Sequence, residues 1–398
     1  MTNKLTDYRS INLLISNMSY RTWKIITNIF LNIFLWKVTN DIQVIALYNI
    51  AVLIMHIISY TISSYYIKNW FRSLFSIISL IWYIWIYFIL IYFWETITNY
   101  YIFIGIFVWL FNGMYWSVYN INEFDFTNPK NRWNFQWLKK SIKNIISIVI
   151  PALVWILIWI NYSNNGYNFA YSLGIIFFII SAIYSINRID YNSWKYELSK
   201  TLKIIWRNKN LLKFLLNTFL IGFSLSWVLI STILPLILFT QWINEIKLGF
   251  LISIFNILSI LLSYLFWKFI HYKSYKNIYI ISCVFYITLV AILLIFPLPW
   301  YVVLFSTLIN LLYTFIWIPQ SVYGSNILHE IKEYSSIKSE FINIREVCSI
   351  LWLLMSYICI YTIWDFTIYW IILLFSIMSL FMLISLFLFK SITIKTDY

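Results

Sequence analysis

Apolar runs of about twenty residues recur along the whole chain of 398 residues. A helix rises about 1.5 Å per residue, so a run of this length crosses the roughly 30 Å hydrocarbon core of a bilayer. Lipid offers the backbone no hydrogen-bonding partner, and a helix satisfies the backbone groups of such a run internally. The runs therefore predict an all-α membrane protein.

The pattern predicts about twelve transmembrane helices. The apolar runs lie at residues 12–36, 42–66, 73–93, 100–120, 141–160, 169–186, 212–239, 248–269, 279–296, 300–325, 348–363 and 367–389. Charged residues make up 11% of the chain, against roughly a quarter in an ordinary soluble domain. The first run is the least regular, because Arg21 and Lys24 interrupt it.

The basic residues are distributed unevenly between alternate turns, and this distribution predicts the orientation. With the N-terminus inside, the outer turns hold Lys37 and Lys247, and the other 26 of the 28 basic residues fall inside. Positive residues stay on the cytoplasmic side, so we expect a multi-pass cell-membrane protein with both termini in the cytoplasm. The net charge of +14 is dispersed over short turns, which argues against nucleic-acid binding.

A polar stretch in the middle of the chain divides the predicted spans six and six. The predicted organisation is a six-helix bundle at 1–187, a cytoplasmic linker at 188–211 and a second six-helix bundle at 212–398. Short patterns repeat between the halves in consistent order: Ser-Val-Tyr at 117–119 recurs at 321–323. Two parallel six-helix repeats are typical of one large class of transporters.

The turn after the fourth span carries the most specific motif. It consists of Glu123, Thr127, Pro129 and Arg132, followed by Pro151 in the fifth span. This arrangement resembles the acidic, proline and arginine pattern of the major facilitator superfamily, and the resemblance covers essentially the full chain. It implies two six-helix bundles and transport by alternating access. The loop between the second and third spans departs from the family pattern, because it retains only Lys68 and Arg72.

Polar or aromatic stripes run along four of the predicted spans. The stripe of the first span recurs every three or four residues, which places its members on one face of a helix. The candidate substrate-binding residues are Arg21, Lys24, Asn28 and Asn32; Asn112, Trp116 and Tyr119; Asn217, Ser224 and Ser231; and Asn310, Thr314 and Trp317. In the resembled family, helices one, four, seven and ten line the central cavity, and these four spans carry the stripes.

Each stripe also has a structural interpretation. Asparagine and serine often join membrane helices through hydrogen bonds without touching a solute. The long side chains of Arg21 and Lys24 can instead extend to the cytoplasmic rim of the bilayer. If both face the cavity, they favour an anionic solute, with Glu123 as their partner in the empty protein. Trp116 and Tyr119 suit a ring or a sugar-like solute.

Five residues are candidates for gating or coupling. They are Glu123, Arg132, Pro151, Pro235 and Pro319. A proline in a membrane helix frees a backbone carbonyl, and broken helices often mark transport sites; the alternative for each proline is an ordinary kink. The resemblance also leaves a structural role open for Glu123. His56 is predicted to be a hydrogen-bonded interior residue.

No cofactor or metal site is predicted. Cys283, Cys348 and Cys359 lie in or beside apolar spans, without the spacing of a disulfide framework or a metal site. A membrane-embedded lipid or sugar transferase would need clustered catalytic groups, whereas the acidic residues of the outer turns are scattered. We therefore expect a monomeric transporter in the lipid bilayer and not an enzyme. A non-transporting receptor or scaffold of transporter ancestry is the remaining alternative.

Tryptophan occurs 22 times and glycine 7 times. Membrane helices usually pack through small residues, yet Trp155, Trp227 and Trp352 stand where the resembled family tends to have glycine. One explanation is an aromatic-rich protein from an AT-biased genome. The other is a stop codon read here as tryptophan that the source organism reads as glycine.

Overall fold

The computed structural model describes twelve helices, numbered in chain order. Their bounds are α1 Tyr8–Thr39, α2 Ile42–Ile67, α3 Arg72–Tyr92, α4 Ile97–Phe126, α5 Pro129–Ile160, α6 Asn165–Tyr184, α7 Leu198–Arg207, α8 Lys209–Ser224, α9 Tyr275–Ile295, α10 Pro299–His329, α11 Tyr334–Thr362 and α12 Ile368–Lys390. It also describes residues 127, 185, 196–197, 208, 225, 257, 261, 296, 331 and 391–392. For parts of some helices, such as 25–39 and 151–160, the backbone alone is described.

The described residues contain no strand, which confirms the all-α class. Five described helical segments are long and apolar enough to cross a membrane. They are Gln43–Ile67, Ile102–Phe126, Lys276–Ile295, Ile337–Cys359 and Leu373–Lys390. By the length and composition of these segments, the chain is a multi-pass membrane protein. The five segments do not establish the predicted count of about twelve spans.

The chain divides into two compact units. The first comprises Met1–Glu197 with Ser339–Asn343, and the second comprises Leu198–Lys338 with Ile344–Tyr398. In the first unit, α1 packs against α4, α5 and α6, and α4 also packs along α2 and α3. In the second unit, α8 packs against α12 and α10, and α9 packs against the same two helices.

Aromatic rings fill the core of the first unit. The rings of Tyr20 and Tyr115 stack with their centroids 3.9 Å apart, and Phe178 and Trp23 pack beside them. Gly174 of α6 makes room for this core, because a Cβ atom there would lie 1.5 Å from the indole of Trp23. The close approach of α1 and α6 thus depends on a missing side chain.

The second unit also contains a glycine whose missing side chain makes room for a tryptophan ring. Trp352 of α11 is 4% exposed, and its indole lies against Gly222 of α8, where a Cβ atom would come within 2.0 Å of it. Gly222 thus leaves room for the side chain at position 352. Trp155 and Trp227 are the two other tryptophans that stand where the resembled family tends to have glycine. Trp155 is described by its backbone alone, and Trp227 lies outside the described residues.

A short amphipathic helix leads into α8. Helix α7 has ten residues and measures about 15 Å, which is too short to cross a bilayer. Asn208 separates it from α8: its side-chain oxygen accepts hydrogen bonds from the backbone N–H groups of Asn210 at 3.0 Å and Leu211 at 3.3 Å. This N-cap satisfies backbone donors that the first turn of α8 leaves without helical partners.

Candidate functional site

Two cations of α1 lie over indole rings of α4. The guanidinium carbon of Arg21 is 4.9 Å from the centroid of Trp116. The ammonium nitrogen of Lys24 is 4.3 Å from the centroid of Trp109 and 5.9 Å from that of Trp116. These distances are typical of cation–π contacts. The structure thus brings three predicted site residues, Arg21, Lys24 and Trp116, into one group.

This geometry follows from helical spacing. Arg21 and Lys24 are three residues apart and share a face of α1, while Trp109 and Trp116 are seven residues apart and share a face of α4. Asn17, one turn before Arg21, accepts a hydrogen bond from the arginine Nε at 2.8 Å. Local periodicity predicted the stripe on α1, but it did not identify Trp109.

Glu123 binds α5 and not Arg21. Its carboxylate accepts a hydrogen bond from Gln136 at 2.5 Å and forms an ion pair with Lys139 at 2.6 Å. The sequence left two roles open for Glu123, a partner of Arg21 and Lys24 or a structural carboxylate, and its described contacts form a bridge between α4 and α5. Tyr119, one turn earlier on α4, is 2% exposed, and the Lys139 ammonium lies 5.6 Å from its ring centroid.

Helix α5 contributes lysines that the sequence interpretation overlooked. Lys139, Lys140 and Lys143 lie in its first half, and all three are partly exposed. Lys139 and Lys143 are one turn apart on one face of α5. Lys139 and Lys140 precede the predicted fifth span at 141–160, so a search for stripes within that span could not have paired them with Lys143.

Arg132 holds the end of α4. Its Nη2 donates to the carbonyl oxygens of Thr127 at 2.8 Å and Phe124 at 3.2 Å, and its Nε donates to the Thr127 hydroxyl at 3.0 Å. The guanidinium thus satisfies carbonyls that the helix end leaves without partners. Nearby, Arg72 forms an ion pair of 2.6 Å with Asp125, so this basic residue of the loop after α2 is tied to α4.

Asn112 belongs to a buried network rather than to the cation group. Its Nδ2 lies 2.8 Å from Nδ1 of His56, and its Oδ1 accepts a hydrogen bond from the Tyr20 hydroxyl. The hydroxyl of Tyr20 is in turn 3.3 Å from that of Tyr83. His56 is 4% exposed. The network joins α1, α2, α3 and α4, as expected of polar residues that connect membrane helices.

The candidates of the second unit form neutral contacts. Asn217 is fully buried, accepts a hydrogen bond from Ser385 at 2.8 Å and donates one to Tyr279 at 3.3 Å. The Ser224 hydroxyl donates to Leu220 of its own helix at 2.8 Å. These two residues therefore serve helix packing in the arrangement described here.

The α10 candidates are less uniform. Trp317 stacks on Tyr313 with ring centroids 5.7 Å apart. Thr314 is 1% exposed, and its hydroxyl has no hydrogen-bond partner among the described residues. Pro319 lies inside α10. The remaining candidates fall outside the described residues or side chains: Asn28, Asn32, Pro151, Ser231, Pro235 and Asn310.

The fold matches solved membrane transporters over nearly the whole chain. A bacterial homologue of the iron transporter ferroportin, in an outward-facing state with soaked iron, is 12% identical with a TM-score of 0.68, over 96% of this chain and 98% of that one. The human organic anion transporter MFSD10 (TETRAN) is 10% identical with a TM-score of 0.69, over 96% and 99%. No protein-family model matches the sequence, and no curated protein matches it.

A third similar structure belongs to a large superfamily of transporters. The major facilitator superfamily proton:xylose symporter XylE, bound to 6-bromo-6-deoxy-D-glucose, is 12% identical with a TM-score of 0.72, over 97% of this chain and 95% of that one. The chain therefore has the fold of the major facilitator superfamily, which the motif after the fourth span predicted. The structural likeness to these proteins establishes the fold. At 10–12% identity it does not identify the solute.

Proposed function

We propose that the protein is a secondary membrane transporter that moves a small solute by alternating access. The observation that carries the proposal is the pair of cations on α1, Arg21 and Lys24, held over the indoles of α4 within a fold shared with transporters. Charged side chains inside a membrane protein are costly, and they commonly mark solute or ion pathways.

The fuller proposal covers the topology. The chain crosses the cell membrane about twelve times as two six-helix bundles, with both termini in the cytoplasm, and works as a monomer. Supporting it are the apolar runs, the internal repeat and the concentration of basic residues in alternate turns.

The ion pair between Glu123 and Lys139 is the proposed coupling element. It joins α4 to α5. The Tyr119 ring, 5.6 Å from the Lys139 ammonium, is 5.2 Å from the Trp116 ring that Arg21 covers. A solute that binds Arg21 therefore alters the electrostatic environment of the pair. A transporter needs no covalent chemistry for this step. The neighbours are a homologue of an iron transporter, an organic anion transporter and a proton:xylose symporter. This range of solutes supports transport and does not identify the solute of this protein.

Flux in reconstituted liposomes tests the proposal. Purified protein is incorporated into vesicles, and uptake is measured for a panel of labelled anions, neutral sugars and cations, with protein-free vesicles as the blank. We expect saturable uptake of one solute class. The absence of solute-dependent flux across the whole panel contradicts transport and favours the receptor or scaffold alternative.

A further inference from the structure

Helix α7 of the second unit exposes cations and apolar side chains side by side. The exposed residues that carry the argument are Lys200, Lys203, Arg207, Leu202 and Trp206. Residues three and four apart share a face of a helix, so the three cations form one row and the two apolar side chains form a second row. Thr201 and Ile205 form the buried face. The apolar row lies between the buried face and the cations, as in helices that lie on a membrane surface.

The two apolar side chains are well exposed. The indole of Trp206 is 71% exposed, and the side chain of Leu202 is 39% exposed. Tryptophan is enriched where membrane proteins meet the headgroup region, because its ring is apolar and its N–H group is polar. The position of Trp206 beside a row of cations is therefore typical of the boundary between headgroups and acyl chains.

The cation row ends at an open depression between α7 and α8. The depression has a volume of about 440 Å³ and is lined by Ile204, Arg207, Asn208, Lys209 and Asn210. The side-chain oxygen of Asn208 already accepts the backbone N–H groups of Asn210 and Leu211. An anion in the depression is therefore held by the side chains of Arg207 and Lys209, both of which are exposed.

The junction of α7 and α8 lies close to the predicted entry of the chain into the membrane. The predicted seventh span begins at residue 212, shortly after Lys209. Helix α7 is about 15 Å long, so all of its residues lie within about that distance of the junction. Clusters of basic residues immediately beside a membrane helix are typical of binding to anionic lipids.

We propose that α7 and its junction with α8 bind the headgroups of anionic phospholipids on the cytoplasmic face of the membrane. A lipid phosphate lies in the depression between Arg207 and Lys209. Lys203 contacts a neighbouring headgroup, and Trp206 lies at the boundary between headgroups and acyl chains. Charge selects this occupant, because a zwitterionic lipid has no net charge to balance the exposed cations. The proposal goes beyond the transport function and holds whether or not the protein moves a solute.

Native mass spectrometry of the purified full-length protein in detergent tests the lipid class. Phosphatidylglycerol and phosphatidylcholine with identical acyl chains are titrated separately, and the bound lipids are counted. We expect the first phosphatidylglycerol to bind about tenfold more tightly than the first phosphatidylcholine. Glycerol 1-phosphate carries the phosphate without acyl chains and is expected not to displace the lipid. Equal binding of the two lipids, or displacement by glycerol 1-phosphate at equal concentration, overturns the proposal.

Paired variants test the residues of the depression. Arg207→Gln combined with Lys209→Gln is expected to weaken binding of the first phosphatidylglycerol by about tenfold to thirtyfold, because two charges near the headgroup are lost. Arg9→Gln combined with Lys390→Gln is the matched control, because it removes the same charge from the ends of α1 and α12. Unchanged binding in the first pair, or an equal loss in both pairs, overturns the site.

Stability in lipid-free detergent separates binding from folding. The Arg207 and Lys209 pair should unfold at the wild-type temperature there, because both side chains are exposed. If the pair does not purify as folded protein, Lys203→Gln and Lys209→Gln are measured singly, each with an expected loss of about fivefold in phosphatidylglycerol binding. Unchanged binding in both single variants overturns the proposal.

A spin label at position 202 tests the placement of the apolar row. Leu202→Cys is labelled in full-length protein in which Cys348 and Cys359 are replaced by serine, since Cys283 is buried. In nanodiscs with phosphatidylglycerol we expect the label to collide more with oxygen and less with a water-soluble nickel chelate than in nanodiscs of phosphatidylcholine alone. The Arg207 and Lys209 pair should abolish this difference. A label that collides with the nickel chelate equally in the two lipids overturns the insertion of α7.

Discussion

The interiors of the two units use polar residues in opposite ways. In the first unit, Arg21 and Lys24 lie over the indoles of Trp116 and Trp109, and Lys139 forms an ion pair with Glu123. In the second unit, Asn217 exchanges hydrogen bonds with Tyr279 and Ser385, and all three side chains are neutral. A neutral network holds helices together, whereas charged side chains inside a membrane protein commonly mark solute or ion pathways.

The internal repeat makes this comparison residue by residue. The Ser-Val-Tyr tripeptides at 117–119 and 321–323 pair Trp116 with Gln320 as equivalent positions. Trp116 lies beneath Arg21, whereas Gln320 donates a hydrogen bond to Thr218 of α8 at 2.9 Å. The repeat keeps the tripeptide and changes the chemistry of the residue before it.

In each unit a glycine makes room for a tryptophan ring. Replacing that glycine by alanine has the largest expected effect. Gly222→Ala places a methyl group 2.0 Å from Trp352, and Gly174→Ala places one 1.5 Å from Trp23. Overpacking of this severity is expected to lower the free energy of unfolding by roughly 3 kcal/mol. Thermal unfolding in detergent measures it.

Gly105→Ala is the control for these variants, because the added methyl meets the edge of the Tyr48 ring at 2.9 Å and is expected to cost less. Trp352→Leu in the Gly222→Ala background should recover stability. The same experiment bears on the codon question. If the source organism reads the codon at position 352 as glycine, the natural protein has no indole there, and Gly222→Ala does not lower its stability. Sequencing the gene and the natural peptide shows which residue stands at position 352.

The second prediction concerns the charged unit. Lys143→Met removes an ammonium group whose charged form is disfavoured first by burial and then by four neighbouring cations. It is expected to raise the free energy of unfolding of the empty protein by about 1.5 kcal/mol. Lys203→Met on the exposed face of α7 should leave the free energy of unfolding unchanged. A destabilised Lys143→Met protein contradicts this expectation.

The fold and part of the site were predictable from the sequence for physical reasons. Apolar length and a period near 3.6 are local properties, so the helices and the stripe containing Arg21 and Lys24 were predictable. The partners of these residues were not, because they depend on which faces of separate helices meet. Trp109 and the α5 lysines were missed for that reason, and the choice between the two roles of Glu123 needed its contact with Lys139.

The third prediction concerns the neutral network of the second unit. Asn217→Ala removes two side-chain contacts, to Tyr279 and Ser385, and is expected to lower the free energy of unfolding by about 1 kcal/mol. Ser379→Ala is the control, because its hydroxyl bonds to its own helix at Ser376. Equal stability of the Asn217→Ala and Ser379→Ala proteins in thermal unfolding contradicts a packing role for this network.

The smallest effect is expected where charge in the first unit is already neutralised. Arg72 and Asp125 form an ion pair of 2.6 Å, with side chains 18% and 21% exposed, and such pairs near the surface contribute about 0.5 kcal/mol. Arg72→Gln and Asp125→Asn should each lower stability by that amount, and the double variant should cost no more than either alone. A double variant that loses the sum of the two single losses contradicts this expectation, because additive losses mean that the two charges do not stabilise each other.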